Sequence, residues 1–254
     1  GFKRINIRFI KKAQNKHFYK IETVLGKDEI MVNEPRQAQN VYDARINANE
    51  ILTPQAGPAP KINGPDIYGA RPDKPLIYRI PATGKRPMNF EVDNLPESLV
   101  LDKENGIITG RTPLNKGEYE LTLKADNNEG SDSKRWTLVV GDTLALTPPM
   151  GWNHWYTHYH LVTDEKIRAA TDAMVRSGMA DVGYQYIGVD DCWMRITPEN
   201  AERSRYPKRK AGCYNLNLKT KVGPVRDEEG RFLPALDFPD MKALADYVHF
   251  YGLK

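Results

Sequence analysis

Cysteine is scarce in this chain. Only Cys192 and Cys213 are present among 254 residues, too few to staple a small fold or to supply a cysteine-based metal cage. Long apolar runs are missing too: no stretch approaches the roughly 18 residues that a membrane-crossing helix needs. Charge of one sign never accumulates. The net charge is +4, with 37 basic residues set among 33 acidic ones, and that spread argues against a nucleic-acid-binding surface. The densest basic run, Pro207 to Lys210 with Arg203 and Arg205 before it, reads as a solvated loop. The sequence begins at Gly1 rather than Met and opens without a signal-peptide pattern, so the chain reads as an excerpt or a processed product.

What is present is a mixed, soluble composition, 28% charged and 40% hydrophobic, that suits a folded chain of more than one domain. Ile5, Ile7 and Phe9 alternate with polar residues, as do Tyr19, Ile21 and Thr23. Alternation of period two is the mark of half-buried strands, and the polar run Lys11 to Lys16 between them reads as a turn. Two strands bury no core, so residues 1–33 read as a β-rich leader or the tail of a preceding domain. Residues 34–66 carry Pro35, Pro54, Pro58, Pro60 and Pro65 and are predicted to be a stiff linker.

Residues 67–141 read as an antiparallel β-sandwich. Tyr119, Leu121, Leu123 and Ala125 alternate with polar neighbours, and Trp136, Leu138 and Val140 do the same. Leu99 and Leu101 lead through "DKENG" to Ile107 and Ile108, a hairpin with Gly106 at a positive-φ position. The string from "LPESLVLDKENGIITG" to "SKRWTLVV" resembles the Ig-like, cadherin-like modules attached to bacterial surface and secreted enzymes. That resemblance implies a fold and little about activity; a structural spacer is the plainer role and sugar binding the alternative.

Beyond Gly141 the pattern becomes α/β. The apolar and aromatic "LALTPPMGWNHW" is followed by Thr163 at a helix N-cap with Asp164 and Glu165 in the first turn. Ile167, Ala170, Thr171, Met174 and Val175 keep helical spacing, and Gly178 is placed to end that helix. "YQYIGVDDCW" is a strand ending in two carboxylates. A loop from Met194 to Asp237 follows, then Pro239 opens a second helix with Met241, Leu244, Ala245 and Val248 on one face and Gly252 at its end. Strand, helix, strand, helix is the signature of a parallel sheet. In such folds chemistry gathers at the C-terminal ends of strands. Trp152 and Trp155 follow the first strand, and Asp190 and Asp191 end the second. An aromatic face suits the apolar face of a sugar ring, and carboxylates accept hydrogen bonds from its hydroxyls. Neighbours on a strand diverge to opposite faces, so the two aspartates are read as sugar ligands rather than as the pair that flanks a scissile glycosidic bond. The histidines of "NHWYTHYH", His154, His158 and His160, have a four-residue spacing that can serve zinc, but no HExxH pattern or cysteine pair accompanies them, and loop histidines near the pocket are the plainer reading.

Three separated motifs, "LTPPMGWNHW", "GYQYIGVDDCW" and "RFLPALDFPDMKALADYVHFYGLK", resemble in order the opening of the family-27 glycoside hydrolases, the melibiase-type α-galactosidases. The resemblance covers residues 143–254. It implies a multidomain chain in which an Ig-like β-sandwich precedes, over 142–254, the first βα units of a truncated TIM (β/α)8 barrel. It implies a retaining exo-glycosidase of terminal α-D-galactosides working without a cofactor through a covalent sugar–aspartate intermediate. Trp155 corresponds to the tryptophan that stacks on galactose, and Asp190 and Asp191 to the aspartates that bind its hydroxyls. The family's nucleophile and acid/base aspartates fall on later strands, beyond Lys254. No catalytic residue is therefore assigned, and the chain alone is expected to be inactive. Many relatives pair the cysteine of "DDC" with one shortly after the tryptophan motif; here His160 stands in that place, leaving Cys192 to pair with Cys213 or remain a buried thiol. A non-catalytic sugar-binding or scaffold protein is the alternative class, and α-N-acetylgalactosaminide or β-L-arabinopyranoside are alternative substrates. Family habit and the Ig-like module point to a secreted or periplasmic protein.

Overall fold

The computed structural model describes residues 56–200 and 220–254 with their side chains, and the backbone of 6–13, 16–22, 30–31, 201–203 and 218–219. The chain divides into two compact units, 1–55 and 56–254.

Among the described residues of the first unit are three strands, β1 (Asn6–Ala13), β2 (Lys16–Glu22) and β3 (Ile30–Met31), in the order β1-β2-β3. β1 and β2 pair antiparallel from Asn6↔Glu22 to Ala13↔Lys16, with a register irregularity between Phe9 and Lys12. Lys11, Lys12 and Lys16, expected in a turn, instead lie on the two strands. Backbone ladders need no apolar side chains, and the lysines continue both arms.

The second unit opens earlier than the sequence pattern indicated. β4 (Lys61–Ile62) pairs with β7 (Ala82–Thr83), Ile62 is buried, and its N–H donates to Asp132 at 2.7 Å. The Pro58 carbonyl accepts from Lys85 N–H and from Asn127 Nδ2, both at 2.9 Å. The linker expected over 34–66 therefore gives way to folded chain by about residue 58, because prolines that cannot donate still serve a sheet margin with their carbonyls. Residues 34–55 of that expectation lie outside the described residues.

Two sheets form the sandwich. One has β6 (Pro75–Arg79), β10 (Ile107–Arg111) and β9 (Leu99–Asp102) in the order β6-β10-β9; the other has β5 (Ile67–Ala70), β12 (Gly130–Val140), β11 (Gly117–Asn127) and β8 (Asn89–Asp93) in the order β5-β12-β11-β8. β11 and β12 pair along their whole length, Gly117↔Val140 to Asn127↔Gly130. The alternation read from sequence is realised: Leu121, Leu123, Ala125, Trp136, Leu138 and Val140 are buried with Tyr78, Ile80, Phe90 and Ile108. Tyr78 tilts against Trp136 with ring centroids 4.5 Å apart. Gly106 has φ +67, and a Cβ there would come within 2.9 Å of the Phe90 ring, so the β9–β10 hairpin needs glycine at that point.

The remainder is α/β. β13 (Gly151–Asn153) leads into a short helix α1 (Trp155–His158) and then α2 (Asp164–Arg176). The Thr163 side chain accepts from Lys166 N–H at 3.3 Å, capping α2 as its sequence predicts. β14 (Tyr186–Gly188) pairs parallel with β13, Gly151↔Tyr186 to Asn153↔Gly188. α3 (Pro198–Arg203) and α4 (Leu218–Lys221) lie in the long loop, and α5 (Met241–Phe250) closes the segment. α5 begins two residues later than expected: Asp240, not Pro239, sets its start, accepting from Ala243 N–H at 2.9 Å. After α5 the backbone of Lys254 takes a place beside β14. Its N–H donates to the Gln185 carbonyl at 2.8 Å and its carbonyl accepts from Ile187 N–H at 2.7 Å. Ile167, Met174, Ile187, Phe238, Leu244, Val248 and Leu253 fill the core between sheet and helices.

The two parts of this unit meet on the side from which the parallel strands start. Asp181, in the turn before β14, receives Arg79 at 3.3 Å and Arg86 at 3.0 Å, and its carbonyl accepts from Asn63 Nδ2 at 2.9 Å. Gln185 Nε2 donates to the Arg79 carbonyl at 3.1 Å. The Lys254 ammonium lies 4.3 Å from the ring centre of Tyr68 and 5.2 Å from that of Tyr186. Gly252, with φ +73, ends α5 where a Cβ would meet Arg79 and Ile107 at 3.0 Å. The Ig-like sandwich is therefore a docked base, at the end opposite to the C-terminal ends of β13 and β14.

Candidate functional site

At those C-terminal ends lie Trp155, Asp190 and Asp191, three of the residues that the sequence singled out. β13 ends at Asn153 and β14 at Gly188, and His154 N–H donates to the Gly188 carbonyl at 3.2 Å. One side chain then ties the two strand ends together. Asn153 Oδ1 accepts from Trp155 N–H at 2.8 Å, while Asn153 Nδ2 donates to Asp190 Oδ2 at 2.9 Å. Trp155 and Asp190 are thus held by opposite ends of a single amide. The Trp155 indole is half-buried, packed edge-on by Tyr159 at 5.7 Å. Asp190 and Asp191 are exposed.

The two aspartates lie past β14, in a turn rather than on the strand. The alternation argument for their roles therefore does not apply to them; turn hydrogen bonds orient them instead. Asp190 Oδ1 accepts from Asp191 N–H at 2.8 Å, and Asp191 Oδ1 accepts from Cys192 N–H at 2.6 Å. Each carboxylate is fixed by the backbone of the next residue. The hydrogen bond from Asn153, followed by that from Asp191 N–H, holds the Asp190 carboxyl below the usual carboxylate range. An ionised, partly solvated carboxylate beside an aromatic face accepts hydrogen bonds from hydroxyl groups.

Trp152 does not join this group. It lies within β13, half-buried against the core between sheet and helices, with its ring 5.9 Å from that of His158. His154 and His160 are buried, and burial lowers the pKa of both, as it does for half-buried His158. The interior thus keeps these rings toward the neutral form. Among the described residues, no three His, Cys, Asp or Glu side chains converge as metal ligands. Cys192 is a free thiol, pushed up to about 11 by burial and then by the neighbouring Asp191 carboxylate. Cys213 and the basic run from Arg205 to Lys210 lie outside the described residues.

Sequence reasoning missed Asn153. The signal was local: an asparagine two residues before Trp155 at a strand end is poised to accept the i+2 backbone N–H. It also missed the long loop's regularity. Besides α3 and α4, the loop pairs Met194 with Pro234, Ile196 with Val222 and Arg226 with Phe232. These pairings fold the loop back on itself, and Lys221 from it reaches the Cys192 carbonyl at 2.7 Å.

Residues 147–219 match the family model described as "Alpha galactosidase A". This part of the chain is similar to the melibiase-type α-galactosidases. Residues 59–141 match the family described as "Putative Ig domain", agreeing with the early start of the folded sandwich. The chain is 40% identical over 128 residues to an alpha-galactosidase of Coffea arabica, a match covering 49% of this chain and 26% of the relative. It is 41% identical over 113 residues to alpha-galactosidase A of Cellvibrio japonicus, covering 44% and 21%. The chain thus spans about a quarter of the length of such melibiase-type relatives. A crystal structure from Bacteroides fragilis, described as a "putative alpha-galactosidase", superposes with a TM-score of 0.65 at 36% identity, over 80% of this chain and 38% of that one. That similarity covers far more of the chain than the α-galactosidase match alone.

Proposed function

We propose that this chain supplies the galactose-recognition end of a retaining exo-α-galactosidase, built on the opening βα units of a (β/α)8 barrel. The observation that carries the reading is the Asn153 bridge, which holds Trp155 and Asp190 at adjacent strand ends. The barrel reading is supported by β13 and β14 in parallel register and by Lys254 entering beside β14 in the same sense, with a helix between successive strands. In this reading the Trp155 face packs on the apolar face of a terminal galactose, and Asp190 and Asp191 accept hydrogen bonds from its hydroxyls. The free energy of that recognition holds the glycosidic bond in place for carboxylates on other strands.

Asp190 and Asp191 are not the pair that cleaves the bond. Retention requires two carboxyl groups on opposite sides of the anomeric carbon, about 5–5.5 Å apart, whereas each of these is committed to the N–H of the residue that follows it on one turn. The α-galactoside substrate and the work outside the cytoplasm, in a secreted or periplasmic form, belong to the same proposal. The test is direct. The full-length protein should hydrolyse nitrophenyl α-galactoside with the first-formed galactose in the α configuration by proton NMR, and Asp190→Asn should raise KM strongly. No hydrolysis of any α-galactoside, or inversion at the anomeric carbon, sinks the reading. Cell fractionation tests the location; protein confined to the cytosol rejects it.

A further inference from the structure

We propose that Lys221, delivered by the long loop, is a positioning residue that holds the Asp190–Asp191–Cys192 turn in its sugar-receiving shape; the inference rests on the functional reading above.

Lys221 ends α4, and its side chain is 4% exposed. A buried ammonium demands partners, and here it has two of different kinds. Nζ donates to the Cys192 carbonyl at 2.7 Å and pairs with the Asp237 carboxylate at 3.1 Å. Asp237 is itself tethered: it accepts from the Thr220 hydroxyl at 2.8 Å, and its carbonyl accepts from Asp164 N–H, the first residue of α2, at 2.9 Å. The ammonium thus links the carboxylate turn to a fixed point of the α/β core.

The turn needs that link. Cys192 has φ +71, a left-handed conformation that a residue with a Cβ adopts only when its surroundings impose it. Its carbonyl is the group that Lys221 holds. Its N–H is the group that fixes the Asp191 carboxylate, and Asp191 N–H in turn fixes Asp190. A continuous chain of hydrogen bonds runs from Asp237 through Lys221, Cys192 and Asp191 to Asp190, and on through Asn153 to Trp155. Without the ammonium, the Cys192 carbonyl loses its buried donor, the left-handed φ loses its restraint, and both carboxylates are free to turn. The loop backbone keeps Lys221 in register: Ile196 N–H donates to the Lys221 carbonyl at 2.8 Å, and Ala235 N–H to the Trp193 carbonyl at 2.8 Å.

The experiment measures galactose binding by calorimetry, together with KM and kcat on nitrophenyl α-galactoside, in the full-length protein. Lys221→Met should weaken galactose binding at least about 10-fold and raise KM more than it lowers kcat, as loss of a charge-assisted bond to a binding element predicts. Lys221→Arg should recover most of the affinity. Asp237→Asn, which leaves the carbonyl contact in place, should weaken binding about 3-fold and serves if Lys221→Met does not fold. Wild-type protein that binds galactose, alongside a folded Lys221→Met or Asp237→Asn that binds it equally well, overturns the inference alone. Wild-type protein that binds no galactose overturns the functional reading and this inference with it.

Discussion

The Ig-like sandwich and the α-galactosidase-like region bury their cores by different means. In the sandwich, β11 and β12 pair over eleven residues each, and a contiguous core from Tyr78 to Val140 closes between two sheets. In the α-galactosidase-like region, β13 and β14 are three residues each, and helices α2 and α5 cover the sheet. The sandwich keeps few polar groups inside. The other region places His154, His160, Thr171, Gln185 and Lys221 out of solvent. The contrast teaches where each kind of stability comes from: side-chain packing holds the sandwich, whereas specific polar bonds hold the strand ends that carry the candidate site.

Breaking the sandwich should produce the largest effect. Trp136→Ala removes a fully buried indole that packs against Tyr78 and Tyr68 and should cost about 3–5 kcal/mol, read as a large drop in the denaturant midpoint of the Ig-like domain. The junction comes next. Asp181→Ala takes away the carboxylate partner of Arg79, whose side chain is only 10% exposed and keeps just the Tyr251 carbonyl at 3.3 Å; discounted for the partial exposure of the site, about 2 kcal/mol should be lost, and chemical denaturation should show it. If the midpoint does not move, the Asp181 ion pairs contribute nothing to the stability of the junction.

Lys254 sharpens the same junction through pH. Burial among Tyr68, Tyr78 and Tyr186 lowers its pKa from 10.5 to about 7. Between those values the unfolded chain keeps a proton that the folded chain has released, so stability should rise as pH climbs above 7. A gain of about 1–2 kcal/mol from pH 7 to 9 is expected, and Lys254→Met should flatten it. The tyrosines do not mask this window, since burial raises Tyr68 and Tyr78 above their ordinary values. At the strand ends, Asn153→Ala should weaken galactose binding about 10-fold through loss of both bridge bonds while leaving the sandwich's melting midpoint unchanged. The smallest effect belongs to the surface: Lys116→Ala, which breaks an exposed ion pair with Asp142, should not move the midpoint measurably.

The sandwich was the more legible region. Alternation in "EYELTLKA" and "RWTLVV" marked which residues turn inward, since a strand's faces repeat every two residues. The Gly106 hairpin and the Thr163 cap were readable because turn and cap chemistry is local. Proline content misled at residues 58–66, where carbonyls at a sheet margin count for more than missing N–H groups. The carboxylate turn also escaped the pattern, since β14 ends two residues before Asp190.

The sequence by itself determined the local periods, caps and turns, the resemblance of the 143–254 motifs and the candidates Trp155, Asp190 and Asp191, all properties of residues within a few positions of one another. Only the tertiary structure decided that Asn153, next to Trp155, reaches Asp190 across 37 residues, that Lys221 reaches back 29 residues to Cys192, and that the sandwich docks at the end away from them. Those decisions depend on buried hydrogen-bond and ion-pair partners brought together by packing, and a linear pattern of side-chain types does not encode which donor will meet which acceptor once water is excluded.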